Sequence, residues 1–274
     1  MQGQIVKIIS NLYTVKVGHE FIDCRARGKF RIEGTTPLVG DFCIVDRENN
    51  YILEILPRKN SLKRPLIANV DCALIVTSVK KPELSLNLLD KLLSLSIISN
   101  IKPIICLTKL DLMTKEELKN LNNIIKYYRK IGFTVIKNTE KLKMKILLKN
   151  KLIVLAGQTG AGKSSLINRL DSRLNLDTNE ISEALGRGKH TTRHVEVFKV
   201  GNLYIADTPG FSALDLDEFS DEDIKNSFIE FSEYNCYFND CKHKNEKNCG
   251  VKTALENKEI LESRYNNYLS FLKH

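Results

Sequence analysis

The sequence points to a three-part chain: an all-β N-terminal barrel, a central α/β domain and a mainly helical tail built around metal ligands. Three observations carry this. Short β-branched segments separated by turn residues fill roughly the first 60 positions. From Cys72 onward, apolar runs of buried-strand type alternate with helical periodicity. Near the end, Cys236, Cys241, His243 and Cys249 fall within fourteen residues. The divisions are placed at 1–62, 63–218 and 219–274.

The 274-residue chain is 42% hydrophobic and 27% charged, ordinary for a folded protein with room for more than one core. Its formal net charge of +9 favours a polyanionic partner, nucleic acid before an anionic membrane surface. The excess lies before residue 221, and the tail is slightly acidic. No apolar run approaches the roughly 20 residues that span a bilayer. The start, MQGQIVKIIS, lacks the pattern of a secretory signal. A cytoplasmic monomer without membrane attachment is expected. Cys24, Cys43, Cys72 and Cys106 stand singly in apolar stretches and read as buried, inert thiols.

Five strands are expected in the first domain: 4–9, 12–17, 20–25, 42–46 and 51–56. The turns Ser10-Asn11, Val17-Gly18, Gly40-Asp41 and Asn49-Asn50 separate them. That number in that length suits a small OB-type barrel. Arg25, Arg27, Lys29 and Arg31, interleaved with Phe30, add a candidate RNA contact: cations for phosphates and a ring for base stacking. The plainer alternative is a structural barrel. Residues 57–65, basic and bounded by prolines, read as a linker.

In the central domain, strands are expected at 72–78, 103–108, 133–137 and 152–157, and helices at 86–98, 115–130 and 141–148. A hairpin follows, turning at Gly201-Asn202. A helical tail is expected over 252–272.

Three motifs carry the chemistry. Gly157-Gln158-Thr159-Gly160-Ala161-Gly162-Lys163-Ser164, followed by Ser165, links a buried strand to a helix start. Its glycines let backbone N–H groups cup phosphates at a helix N-terminus; Lys163 should reach the β- and γ-phosphates and Ser164 should hold Mg²⁺. Thr108-Lys109-Leu110-Asp111 ends a strand, where a carboxylate can accept from N1–H and the 2-amino group of guanine. Thr stands where Asn is usual, and the loop at Asn138-Thr139 is the candidate for the far side of the base. Asp207-Thr208-Pro209-Gly210 has the DxxG pattern, with Asp207 directed to Mg²⁺ through water and the Gly210 amide to the γ-phosphate. The next residue is Phe211 where many GTPases have a water-orienting Gln.

The order of these motifs is unusual. The base-recognition sequence precedes the phosphate loop, so the domain reads as a circularly permuted P-loop GTPase. Between phosphate loop and DxxG lies 186–194, GRGKHTTRH, the candidate switch. Thr191 or Thr192 could complete the Mg²⁺ shell, with Thr192 preferred, and His190 is of suitable type to orient water. Arg187, Lys189 and Arg193 make the segment a further RNA candidate; the bland reading is an exposed basic loop. Cys236, Cys241, His243 and Cys249 suit a closed, tetrahedral, structural Zn²⁺ site, the His favouring zinc over an Fe–S cluster or redox thiols.

Taken together, TKLD before GQTGAGKSS, GRGKHTTRH, DTPG with an apolar follower and the C-x4-C-x-H-x5-C cluster resemble the RsgA/YjeQ family of ribosome-biogenesis GTPases, over nearly the whole length. The resemblance implies an OB barrel, a permuted GTPase domain and a zinc-binding domain. It further implies binding to the 30S subunit and its 16S rRNA late in assembly, GTP hydrolysis to GDP stimulated by the subunit, and release on hydrolysis. Two rivals remain open: an RNA-binding scaffold with unhydrolysed nucleotide, and an ATP-using P-loop enzyme, which must explain Asp111 away.

Overall fold

The structure, a computed structural model, describes residues 1–32, 34–63, 66–171, 197–206 and 215–273. Strands β1 (Gln2–Ile9), β2 (Leu12–Val17), β3 (Glu20–Ala26), β4 (Phe42–Asp46) and β5 (Tyr51–Ile55) close a barrel in the order β1-β2-β3-β5-β4. The period-two alternation that marks them as strands also fills the interior. Ile5, Tyr13, Val15, Cys24, Cys43, Val45 and Ile52 are buried together. A register shift between Ile5 and Lys7 bends β1, and a parallel pairing of β3 with β5, Arg25 opposite Tyr51, completes closure.

Two local expectations change here. Phe30 does not offer a ring for stacking: it lies on a one-turn helix, α1 (Lys29–Ile32), is only 4% exposed and packs into the barrel core. The linker is also more ordered than its composition implies. Its β6 (Ser61–Lys63) pairs with β7 (Leu66–Ala68) just beyond it, burying Leu62 and Ile67. Just before them, Arg58 grips the fully buried Asp41 through Nε and Nη2, both at 2.7 Å. Gly40 is required beside it, because a β-carbon there would lie 2.0 Å from the Ala68 carbonyl oxygen.

The central elements follow the expected alternation: β8 (Cys72–Ser78), α2 (Leu86–Ile98), β9 (Lys102–Thr108), α3 (Lys115–Lys130), β10 (Thr134–Lys137), α4 (Lys141–Leu147), β11 (Leu152–Ala156), α5 (Lys163–Leu170), β12 (Val197–Val200) and β13 (Leu203–Ala206). The sheet order is β10-β9-β8-β11-β13-β12, with β12 antiparallel to β13. β8, β9 and β11 are apolar almost throughout because parallel strands are covered on both faces. Ser85 caps α2, and a Thr114–Glu117 capping box starts α3, each cap worth about 1 kcal/mol.

By packing, the chain forms two compact units. One takes Met1–Leu74, Thr139–Leu155 and Gly162–Phe211; the other takes Ile75–Asn138, Ala156–Ala161 and Ser212–His274. In the second, α6 (Asp221–Ser227), α7 (Gly250–Glu256) and α8 (Glu262–Phe271) form the tail, with α6 and α8 against α2. The expected single tail helix is two helices. Lys258 adopts φ +61° after α7, and the Glu259 amide donates back to the Ala254 carbonyl at 2.8 Å, a Schellman-type stop. Among the described residues, no helix is long and apolar enough to cross a membrane.

Candidate functional site

β11 delivers the phosphate loop at its C-terminal end, where parallel sheets bind ligands. The three glycines adopt left-handed backbone, with φ of +125° at Gly157, +77° at Gly160 and +91° at Gly162. Gly157 has no substitute, since a β-carbon would lie 2.0 Å from the Val76 carbonyl oxygen. Gly162 caps α5, so the free amides of the first turn follow directly. Ser164 is buried and Ser165 exposed. Burial pulls the Lys163 ammonium below the usual lysine range, a desolvation cost that an anionic phosphate would offset.

The Thr108–Asp111 segment leaves the end of β9. Thr108 is buried, and its hydroxyl donates to the Ala161 carbonyl at 2.7 Å. A hydroxyl therefore supplies a tie to the glycine-rich loop, at a position where the sequence pattern more often has Asn. Lys109 takes a left-handed backbone, and its ammonium donates to the Lys81 carbonyl. Leu110–Leu112 is a 3-10 turn that presents Asp111 to solvent, with its side chain accessible to a ligand. β10 runs parallel to β9, Lys137 opposite Leu107, and the Asn138 amide donates to the Leu107 carbonyl. Asn138 thus sits beside the recognition loop on the same strand ends, while Thr139 is an exposed residue immediately after it.

In the tail, Cys236, Cys241, His243 and Cys249 bring their ligand atoms within 4.8 Å of one another. The Cys236 and Cys249 sulfurs are 3.8 Å apart, and His243 Nδ1 lies 3.5 and 3.3 Å from them. Tetrahedral thiolates at a Zn–S distance of about 2.3 Å would be roughly 3.8 Å apart. The donor set and spacing therefore fit one metal ion. The Tyr265 and Tyr268 hydroxyls of α8 hold the carbonyls of His243 and Lys242 at 2.5 and 2.6 Å, fixing the turn that carries the histidine.

On the barrel, Arg25 and Arg27 are exposed and line a cavity of about 1030 Å³ with Leu12 and Thr35, and Phe30 contributes to its lining. Lys29 and Arg31 lie on α1, and their side chains fall outside the described set. Arg187, Lys189, His190, Thr192, Arg193, Asp207 and Gly210 also lie outside the described residues. One feature had no sequence signal: a buried network of Arg264, Asp90, Glu230 and Tyr128 joins α8 to α2 and α3.

The Thr108–Asp111 segment at the end of β9 and the glycine-rich loop at the end of β11, tied by the Thr108–Ala161 hydrogen bond, carry the motifs of a P-loop GTPase in permuted order. The family comparisons agree. Residues 2–52 match the RsgA N-terminal domain and residues 55–217 the RsgA GTPase domain. The chain belongs to the RsgA family and is a GTP hydrolase of that family. A small ribosomal subunit biogenesis GTPase RsgA from Caldanaerobacter subterraneus is 45% identical, covering 100% of this chain and 95% of its own. Another, from Oceanobacillus iheyensis, is 46% identical over 99% of this chain and 96% of its own. The crystal structure of YjeQ from Thermotoga maritima aligns with a TM-score of 0.84 at 34% identity, covering 98% of this chain and 96% of that one. YloQ, described as a circularly permuted GTPase, gives 0.83 at 34% identity, covering 98% and 93%.

Proposed function

We propose that this protein binds the small ribosomal subunit through its 16S rRNA, assists a late step of subunit maturation, and hydrolyses GTP to GDP on binding so that it is released. The observation that supports the reading is the Thr108–Ala161 hydrogen bond, which ties the candidate base-recognition segment to the candidate phosphate loop. It occurs in a family whose curated relatives are named for small-subunit biogenesis. The net charge of +9 and the exposed Arg25 and Arg27 at the barrel cavity favour an RNA partner.

In this reading Asp111 selects guanine, Asn138 and Thr139 flank the base, and 157–165 cradle the phosphates. Ser164, Thr192 and Asp207 would hold Mg²⁺, which neutralises phosphate charge when bound. Gly210 senses the γ-phosphate. His190 orients the attacking water in place of the Gln that Phe211 displaces. Arg187, Lys189 and Arg193 contact RNA and bring His190 into line when they do. Zn²⁺ is the ion of the Cys₃His site and has a structural role, since all four positions are filled by protein. The protein acts as a cytoplasmic monomer, away from membranes.

The test is GTP turnover with and without purified small subunits, for wild type and His190→Ala. Strong stimulation, lost in the variant while subunit binding persists, supports the whole reading. Stimulation that survives in the variant removes His190 from catalysis. No stimulation in wild type overturns the ribosome-triggered mechanism.

A further inference from the structure

Between β8 and α2, the loop beginning at Val79 touches both halves of the nucleotide site. The Val79 amide donates to the Thr108 carbonyl at 3.2 Å, and the Ser78 hydroxyl donates to the Lys80 carbonyl at 2.8 Å. Lys109 reaches the Lys81 carbonyl from the base-recognition side. From the phosphate loop, the Gln158 side-chain amide donates to the Glu83 carbonyl at 3.4 Å, and a β-carbon on Gly160 would meet Pro82 Cδ at 3.6 Å. Near its start the loop is fastened by Lys80, whose Nζ lies 2.6 Å from Glu117 Oε1. Glu117 in turn accepts from the Thr114 amide at 2.7 Å, within the capping box of α3.

The short stretch that carries Asp111 is therefore held at both ends. Lys109 anchors its start on the loop, and Thr114 anchors its finish on Glu117. Lys80 joins the two anchors. Removing the pair would cut the link between those two anchors and with it a constraint on where Asp111 sits. A carboxylate that must meet two donors on one edge of a base loses the farther one first, because hydrogen bonds weaken steeply with misalignment.

We propose that Lys80 and Glu117 are positioning residues for base selection. Their ion pair clamps the Lys80–Glu83 loop against Thr108–Asp111, which sets the Asp111 carboxylate for a purine bearing a 2-amino group. The proposal rests on the assignment of Asp111 to guanine, and the wild-type control below tests that assignment separately.

Affinities of the full-length protein for GDP and IDP, which lacks the 2-amino group, are measured for wild type, Lys80→Met, Lys80→Arg and Glu117→Gln. Gln at position 117 keeps the capping box while removing the charge. In Lys80→Met and Glu117→Gln the GDP-over-IDP preference falls roughly three- to fivefold, the scale of a half-exposed ion pair. Lys80→Arg keeps it, and melting midpoints stay within about 4 °C of wild type. An unchanged ratio in both charge-removing variants overturns the proposal. So does an equal loss of GDP and IDP affinity, or a loss in Lys80→Arg as large as in Lys80→Met. A wild type without preference for GDP overturns the Asp111 assignment itself, and the clamp with it.

Discussion

Arg264 and Asp90, 174 positions apart in the chain, form a fully buried ion pair, with Nη1 2.8 Å from Oδ1. The same guanidinium donates through Nε to Glu230 at 2.8 Å, and the Phe228 ring lies 4.1 Å from its central carbon. Tyr128 and Asn267 donate to Asp90 at 2.6 and 2.7 Å. Burial works against the charge of Arg264, but the two carboxylates more than offset it and hold the guanidinium protonated. This network fastens tail helix α8 to α2.

Replacing Arg264 with Met leaves two carboxylates buried without their cation. Unfolding free energy should fall by about 3–5 kcal/mol. Arg264→Lys should also lose heavily, because one ammonium cannot span both acids. Denaturant titration checks this, and a loss below about 1 kcal/mol for Met would show that the network is not structural.

Thr108→Val keeps the shape of the side chain and removes the donor to Ala161. GDP affinity should fall by about 1–2 kcal/mol, roughly tenfold, as a buried carbonyl loses its partner. Thr108→Asn should retain binding, since its amide can donate to the same oxygen. Nucleotide titration of both variants decides the point. Equal affinity in Val and wild type would remove Thr108 from the site.

At Asp111, an Asn substitution exchanges one acceptor for a donor. The base edge that then fits carries a carbonyl where guanine carries an amine. GDP affinity should drop by at least about 100-fold and XDP should be gained, because the amide places a donor where guanine's own donors need an acceptor. Competition between GDP and XDP reads this directly.

Metal removal should act on the tail before the nucleotide site. One ion per chain is expected by elemental analysis. Cys241→Ser or a strong chelator should lower the melting temperature through loss of the Cys₃His turn, while GDP affinity changes little. A chain that contains no metal after purification in zinc-supplemented medium would count against the site.

The Lys80–Glu117 pair should be insensitive to pH near neutrality. Hydrogen bonding from Lys80 and the Thr114 amide holds the Glu117 carboxyl down to about 2. A depressed carboxylate contributes above its unfolded value and is lost as pH falls through the folded one. The GDP-over-IDP preference should therefore stay flat between about pH 5 and 8 as far as Glu117 is concerned. A titration of that ratio near pH 6 would have to come from another group.

The barrel strands, the alternation of the central domain and the chemistry of each motif are local properties. Alternation at period two places Ile5, Tyr13 and Val15 inside wherever the strands pair. A glycine-rich turn followed by Lys163 and Ser164 specifies, from eight consecutive residues, a tight left-handed turn into a helix start. The Cys and His spacing specifies a metal turn in the same way. These were legible because neighbours in sequence are neighbours in the site.

What tertiary packing decided lies in contacts between distant segments. Phe30 is an aromatic in a basic loop by sequence, but the barrel interior needed its ring. Part of the linker became a strand because Leu62 could be buried opposite Ile67 of the next strand. Thr108 is a weak motif residue until Ala161 is brought within hydrogen-bonding distance. Arg264, an unremarkable tail cation by sequence, is buried because Asp90 and Glu230 surround it. Periodicity and spacing determine which faces are apolar and which side chains can bind a given group. Only the assembled core determines which partner, often more than a hundred residues away, satisfies a buried charge or fills a void.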